Sequence, residues 1–438
     1  MRLLPSVLLL ALVLAGPARA QAPGDGRTVA FVGATLHPVS GPVIENGVLV
    51  VRDGRFVAVG PAERTAVPPG AETVDLRGRT VIPGLVDTHA HVGDGDGGDA
   101  SGPLHPDVRI LDALDPRADS FMRSRAGGIT TVNVMPGSGH LMSGQTAYLK
   151  LRRARTIEDM LFCENPATDV CGGMKMANGT NPLGRPGFPG TRARSAALVR
   201  EQFTQALAYR ARRDRTPPDS AFTRDLRMEA LLEVLDGRRI VHFHTHRADD
   251  ILTALRLGRE FGFTPVLHHV SEGWRVAEEI AAAGAPASII VLDAPGGKLE
   301  ARDLLPETGA ALERAGVDVA YHTDDYITDS RLFLRSGALG VRAGMSRAKA
   351  LEALTLAGAR MLGLADRIGS LEPGKDADFV VLSADPFSVY ARVEQTWVEG
   401  RVVFDRSLEA DRAYAVGGPG VYRASAFSHH DHHAEHDQ

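Results

Sequence analysis

Apolar positions along the chain follow two different rhythms. From Thr28 to about Asp75, short apolar runs alternate with turn residues: Val29-Ala30-Phe31-Val32, Gly47-Val48-Leu49-Val50-Val51 and Phe56-Val57-Ala58-Val59. Runs of this length, bounded by Gly, Pro, Asn and Asp, predict strands. Asp53-Gly54 between the last two predicts a hairpin. The same rhythm returns near the C-terminus at Ala377–Leu382 and Val393–Val403. Between about Gly84 and Ala365, runs that read as buried strands alternate with stretches of helical period. The strands are predicted at Leu85–His91, Ile129–Met135, Thr146–Leu151, Gly173–Ala177, Ile240–His246, Pro265–Val270, Ala287–Leu292 and Asp318–Thr323. Helices are predicted at Arg194–Arg212, Asp249–Phe261, Trp274–Ala283 and Arg347–Leu362. Eight strands alternating with helices are what a parallel α/β barrel requires. The expected organisation is a barrel over 84–365 and a small β-sandwich domain assembled from 28–83 and 366–415.

The two ends of the chain differ from this. Met1-Arg2, an apolar stretch from Leu3 to Ala15 and Ala18-Arg19-Ala20 read as a secretory signal cut after Ala20. This places the mature protein in the periplasm or outside the cell; an uncleaved anchor is the alternative. A Gly- and Pro-rich linker follows from Gln21 to Arg27. Residues 416–438 read as a disordered tail with His429, His430, His432, His433 and His436 among acidic residues, either merely solvated or able to capture metal. Cys163 and Cys171 are the two cysteines, and they can pair across a short loop or remain thiols.

Composition narrows the function classes. The 438 residues suffice for a large barrel and a smaller domain. They are 44% hydrophobic and 24% charged, with a formal net charge of −5, so no basic excess points to nucleic acid. No internal apolar run approaches the ~20 residues of a membrane span, so no membrane partner is expected once the signal is cut.

The chemistry-bearing residues sit at the ends of the predicted strands. Side chains alternate faces along a strand, so His89 and His91 project to one side and can grip one ion. Val241-His242-Phe243-His244-Thr245-His246 places three histidines on one face. Val266-Leu267-His268-His269 and Ala320-Tyr321-His322-Thr323-Asp324-Asp325 add further candidates. Lys175 lies between methionines in Gly173-Met174-Lys175-Met176-Ala177, where a charged, unpaired lysine is costly. The Gly- and Pro-rich loop from Asn178 to Arg192 would overhang the strands' C-terminal ends, where barrel active sites lie.

The string Val81-Ile82-Pro83-Gly84-Leu85-Val86-Asp87-Thr88-His89-Ala90-His91 resembles the first barrel strand of the amidohydrolase superfamily. His268-His269-Val270-Ser271-Glu272 resembles that family's Glu-His-Gly-Thr-Glu, and Thr323-Asp324 its Thr-Asp. Ala350-Leu351-Glu352-Ala353-Leu354-Thr355 and the segment from Ile368 to Val381 resemble its C-terminal pattern. Within the family the chain looks most like the imidazolonepropionase-related branch, which includes secreted Xaa-Pro dipeptidases. The resemblance implies a TIM (β/α)8 barrel and a metal-dependent hydrolase acting on C–N bonds through metal-activated hydroxide. It implies two divalent ions, with zinc expected. His89, His91 and Asp324 would hold one, His244 and His269 the other, and Lys175, as a carboxylated lysine, would bridge them, with Glu164 as a rival bridge.

In the same reading Asp324 accepts the proton from the nucleophile and passes it to the leaving nitrogen. His246 is the reserve ligand for His244 or a substrate contact. His242 is a packed interior residue, His268 faces away from His269, and Asp325 caps the following segment. His140, in the string after strand two, and Arg247 are candidates for a substrate carboxylate or are surface groups. An exported member would meet dipeptides or N-acyl amino acids. A cyclic amidase or deaminase on the same site is the alternative, substrate motifs of the cyclic amidases not being found, and a non-catalytic metal-binding barrel is the alternative of another class. A homo-oligomer is expected from the family.

Overall fold

The Asp53-Gly54 turn shows local chemistry setting the architecture. Both residues take left-handed backbone angles (φ 50° and 76°), as the tight turn between twisted antiparallel strands demands. The computed structural model describes residues 26–417 apart from 96, 184–186, 218, 292–297 and 326. The expected signal segment, most of the linker, the tail beyond 417 and part of the loop from 178 to 192 lie outside the described residues.

The first strands are β1 (Thr28–Leu36), β2 (Ile44–Arg52), β3 (Arg55–Pro61), β4 (Glu72–Asp75) and β5 (Thr80–Pro83). There follow β6 (Leu85–Ala90), β7 (Ile129–Val134), β8 (Met142–Gln145), β9 (Ala147–Lys150), β10 (Met174–Ala177), β11 (Val241–Thr245), β12 (Val266–His269), β13 (Ala287–Ile289) and β14 (Val319–Tyr321). The last are β15 (Phe379–Leu382), β16 (Val393–Val398) and β17 (Arg401–Asp405). The strands from both chain ends join one eight-stranded sheet, ordered β17-β16-β15-β5-β1-β2-β3 with β4 on β1. Phe31, Phe379 and Trp397 pack at its core, with Phe379 stacked on Trp397 at 5.5 Å.

The middle of the chain forms a six-stranded sheet, β14-β13-β12-β11-β10-β8, and a three-stranded sheet, β6-β7-β9. Helices such as Arg192–Arg215 and Ala248–Phe261 alternate with these strands, giving an α/β fold with mixed sheets. All the middle strands run parallel except at the third position. There the predicted strand Thr146–Leu151 is β9, antiparallel to β7, and a further short strand, β8, precedes it across a break at Thr146 and runs antiparallel to β10. Residues 135–146, which include β8, connect β7 to its antiparallel partner β9. The break is filled locally, because Gly173 N–H donates to the Thr146 hydroxyl and Thr146 N–H to the Gly173 carbonyl.

The helix predicted over Arg347–Leu362 is two helices, Arg347–Ala353 and Leu356–Met361. Cys163 and Cys171 form a disulfide, with Cα atoms 5.1 Å apart. Among the described residues no helix is long and apolar enough to cross a membrane.

Candidate metal centre

The parallel register carries the histidines to one end of the six-stranded sheet: Ala177 pairs with His244, His244 with His268, Thr245 with His269 and His269 with Ile289. His89 lies near the end of β6, fully buried, and His91 just beyond it. Asp87 ties this end to the segment after β14. Its carboxylate accepts the Thr323 N–H at 3.1 Å and the Thr323 hydroxyl at 2.5 Å. Burial pushes the Asp87 carboxyl up to about 7, against the pull of the Thr323 and His89 hydrogen bonds. Asp324 N–H then donates to the His89 carbonyl at 2.8 Å, and Asp324 itself sits at φ 49°. A non-glycine residue in that region is uncommon; here it turns the carboxylate towards the histidines. Its Oδ1 lies 3.0 Å from His91 Nε2 and 3.5 Å from His89 Nε2.

Three groups result, each with one ligand atom per residue and all such atoms within 4.8 Å of one another: His89, His91 and Asp324; His244, His246 and His269; and His89, His268 and His322. The residues fit a metal. His89 Nδ1, both ring nitrogens of His244, His246 Nε2, His268 Nδ1 and His269 Nε2 are buried and have no hydrogen-bond partner among the described residues. Burial, reinforced by neighbouring cationic groups, pushes His89, His244, His246, His268 and His269 well below the ordinary imidazole value. Neutral imidazoles have lone pairs to give, and unpartnered buried nitrogens call for a partner. Burial works against ionisation of Asp324, but the His91 hydrogen bond and the charges of His91, His322 and Lys175 outweigh it and hold the carboxyl well below the usual carboxylate range.

Lys175 is fully buried on β10. Its Nζ lies 3.0 Å from His89 Nε2 and 3.4 Å from the Met135 sulfur. Burial pulls the ammonium down to about 7, with Asp324 opposing and Lys298 adding to the fall. Both His244 and His246 join His269, so the structure favours neither alone. His242 is packed inside as expected, bonded to the Tyr148 hydroxyl at 2.8 Å and to His268 at 3.0 Å. Asp325 accepts the Ser330 N–H at 3.0 Å, but the cap of the turn Ser330–Leu332 is Asp329, whose side chain accepts the Arg331 N–H.

His268 departs from its expected orientation. Its ring and that of His269 both lie 5.0 Å from the His89 ring. The cause is the left-handed backbone at His269 (φ 70°) and Val270 (φ 52°), which ends the strand's alternation one residue early. His322 also belongs to the cluster, and its spacing of two from Asp324 was the signal that it shares a face. Lys298, just before the short turn Leu299–Ala301, lies near enough to depress His244, His246 and Lys175, and nothing local in the sequence marked it. His140 is buried beside the rings of His105 (5.7 Å) and Phe188 (5.5 Å), outside the three groups. The Arg247 guanidinium is half-exposed and held by Asp249 at 3.0 Å. Glu164 joins none of the three groups.

A cluster of histidines around the Asp324 carboxylate, at the ends of parallel strands, defines a candidate metallohydrolase centre. The sequence profile of the amidohydrolase family matches residues 180–404. An amidohydrolase from Thermotoga maritima MSB8 of known structure is 34% identical, covers 86% of this chain and all of its own, and superposes with a TM-score of 0.81. Amidohydrolase tasK of Hapsidospora irregularis is 27% identical over 408 residues, spanning 85% of this chain; the chain covers only 41% of that relative's length. The imidazolonepropionase of Stenotrophomonas maltophilia is 26% identical over 398 residues, with 82% of this chain and 92% of that protein covered. The chain belongs to the amidohydrolase family, whose members are metal-dependent hydrolases acting on carbon–nitrogen bonds and whose fold is of the TIM-barrel type.

Proposed function

We propose that the protein is an exported amidohydrolase that cleaves an amide C–N bond in a dipeptide or an N-acyl amino acid. The observation that carries this is the convergence of unpartnered histidine nitrogens on the Asp324 carboxylate. The two sheets of the middle region are read as parts of one barrel, with the cluster at its mouth. His89, His91 and Asp324 would hold one divalent ion, and His244 or His246 with His269 a second, zinc being the metal that suits this donor set. Ions there would act as Lewis acids, acidifying water and polarising the scissile carbonyl.

The remaining steps belong to the chain's own groups. Asp324, ionised at every physiological pH, takes a proton from the attacking water and returns it to the leaving nitrogen. Lys175, with its ammonium drawn down to about 7, is in good part a free amine at neutral pH. A free amine can add carbon dioxide to give a carbamate and a proton, which would turn a costly buried cation into an anionic bridge. Export is supported by the N-terminal signal pattern and by the Cys163–Cys171 disulfide, a bond that persists in oxidising compartments.

The test is elemental analysis of purified protein with a screen of dipeptides, Xaa-Pro dipeptides and N-acyl amino acids. The expected result is bound divalent metal and turnover that falls by about 10²–10⁴ in Asp324→Asn, the usual worth of a general acid–base group. Turnover confined to cyclic amides, or release of ammonia from amino-substituted substrates, would replace amide cleavage by ring opening or deamination. Metal without turnover of any class would make the barrel a binding protein. Protein that takes up no metal would sink the reading.

A further inference from the structure

Behind His269 runs a chain of buried hydrogen bonds that the ligand set leaves unexplained. His269 Nδ1 is 3.2 Å from His322 Nε2. His322 Nδ1 is 2.8 Å from the Ser288 hydroxyl, and Ser288 Oγ is 2.6 Å from the Thr88 hydroxyl. His322, Ser288 and Thr88 have no measurable exposure, and His269 is 3% exposed. The chain crosses from β12 to the residue after β14, then to β13 and to β6, so it joins the two sheets of the middle region.

A neutral imidazole has one N–H and one lone pair. The His269 Nε2 atom is the one left without a partner, so it is the atom that can serve an ion. It can do so only if the ring's proton is on Nδ1. That proton must then be donated to His322 Nε2, which places the His322 proton on Nδ1, facing Ser288. The Ser288 hydroxyl accepts it and donates its own proton to Thr88 Oγ1. Every link follows from the one before it, and each has an acceptor at hydrogen-bond distance. With the reverse order, His269 would turn an N–H towards the other histidines.

We propose that His322 and Ser288 are positioning residues that fix the tautomer of His269 and so set metal affinity at the group of His244, His246 and His269. The inference rests on the metal-centre reading above. It concerns residues that touch neither substrate nor ion in that reading, and its support is the geometry of four buried polar groups in series. Groups that orient a ligating histidine from behind are worth about 10–100-fold in affinity.

The experiment is zinc affinity by competition with a chromophoric chelator, and the visible spectrum of the cobalt-loaded protein, on the full chain. The histidines after Phe427 are common to all variants, so differences report the interior. Ser288→Ala is expected to weaken one class of zinc site about 10–100-fold and to alter the cobalt spectrum, while Ser288→Thr, which keeps the hydroxyl, restores both. Tyr148→Phe cuts the other buried relay, Tyr148–His242–His268, and is expected to leave affinity unchanged. Wild-type affinity and spectrum in Ser288→Ala would overturn the relay. Equal losses in Ser288→Ala and Tyr148→Phe would also overturn it, by showing a general response of the packed interior. Absence of zinc from the wild-type protein would overturn the metal centre itself, and the relay with it.

Discussion

Lys150 on β9 and Lys175 on β10 are both buried without measurable exposure, yet their surroundings are opposite. Lys150 Nζ contacts the carboxylates of Asp376, Asp378 at 3.1 Å and Glu399 at 3.3 Å, with the Phe162 ring 5.1 Å away. Lys175 Nζ has a histidine nitrogen and a methionine sulfur, and no carboxylate oxygen within 4.0 Å among the described residues. The first is a structural cation that joins the strands of the middle region to the sheet built from the chain ends. The second is held where its charge is a liability. Burial alone therefore does not mark a lysine as chemically available; the partners do, because a buried charge is tolerable only when compensated.

The largest effect that would sharpen this contrast is at Lys150. Lys150→Met leaves three carboxylates facing one another without their central cation, and breaking a buried ionic cluster from one side costs about 3–5 kcal/mol. Urea denaturation at pH 7 measures it. A loss below about 1 kcal/mol would mean that the carboxylates relax to water, and the comparison would fail on this side.

Lys175→Met is expected to move stability the other way in metal-free protein. The lysine's value falls from 10.5 in the ordinary case to about 7 in the fold. Between those pH values the unfolded chain binds a proton that the folded chain does not, so wild-type stability rises with pH across that window. Below pH 7 the cost of the buried cation is fully present, and above about 10.5 it is gone. The variant should therefore be more stable than wild type at pH 6, by a few kcal/mol at most, with the advantage shrinking towards pH 10. Destabilisation at pH 6 like that of Lys150→Met would erase the distinction between the two lysines.

The same pair shows what a sequence can reveal. Lys175 stands out locally, as a cation in an apolar strand, and the strand's period of two put His89 with His91. Lys150 gave no such sign, because its partners lie far along the chain, Asp376 being 226 positions away. His268 was misjudged because alternation holds only while the backbone stays extended, and the left-handed angles at His269 and Val270 have no residue-type marker. Strand positions were legible from apolar runs. The reversed direction at the third position was not. Cys163 and Cys171 were visible as a pair, but their bonding depends on how the loop between them closes.

The smallest of these effects tests whether the Lys150 cluster acts as a unit. Burial pushes the Glu399 carboxyl up, but the Arg152 hydrogen bonds and the Lys150 and Arg152 charges outweigh it and hold it at about 2. A carboxyl lowered in the fold adds stability that is present above its ordinary value of 4.5 and disappears as the pH falls towards 2. In Glu399→Gln, Lys150 keeps Asp376 and Asp378, while Arg152 keeps the Asp159 and Leu161 carbonyls at 3.0 and 3.3 Å. The expected loss at pH 7 is therefore about 1–3 kcal/mol, the worth of hydrogen bonds to a charged group, below that of Lys150→Met. Denaturation at pH 7 and pH 3 should show the gap between variant and wild type narrowing as the pH falls. In the double variant with Lys150→Met the two losses should not add, since each removes part of one contact. Additive losses, or a gap independent of pH, would mean that Glu399 serves Arg152 alone and that Lys150 is satisfied by the two aspartates.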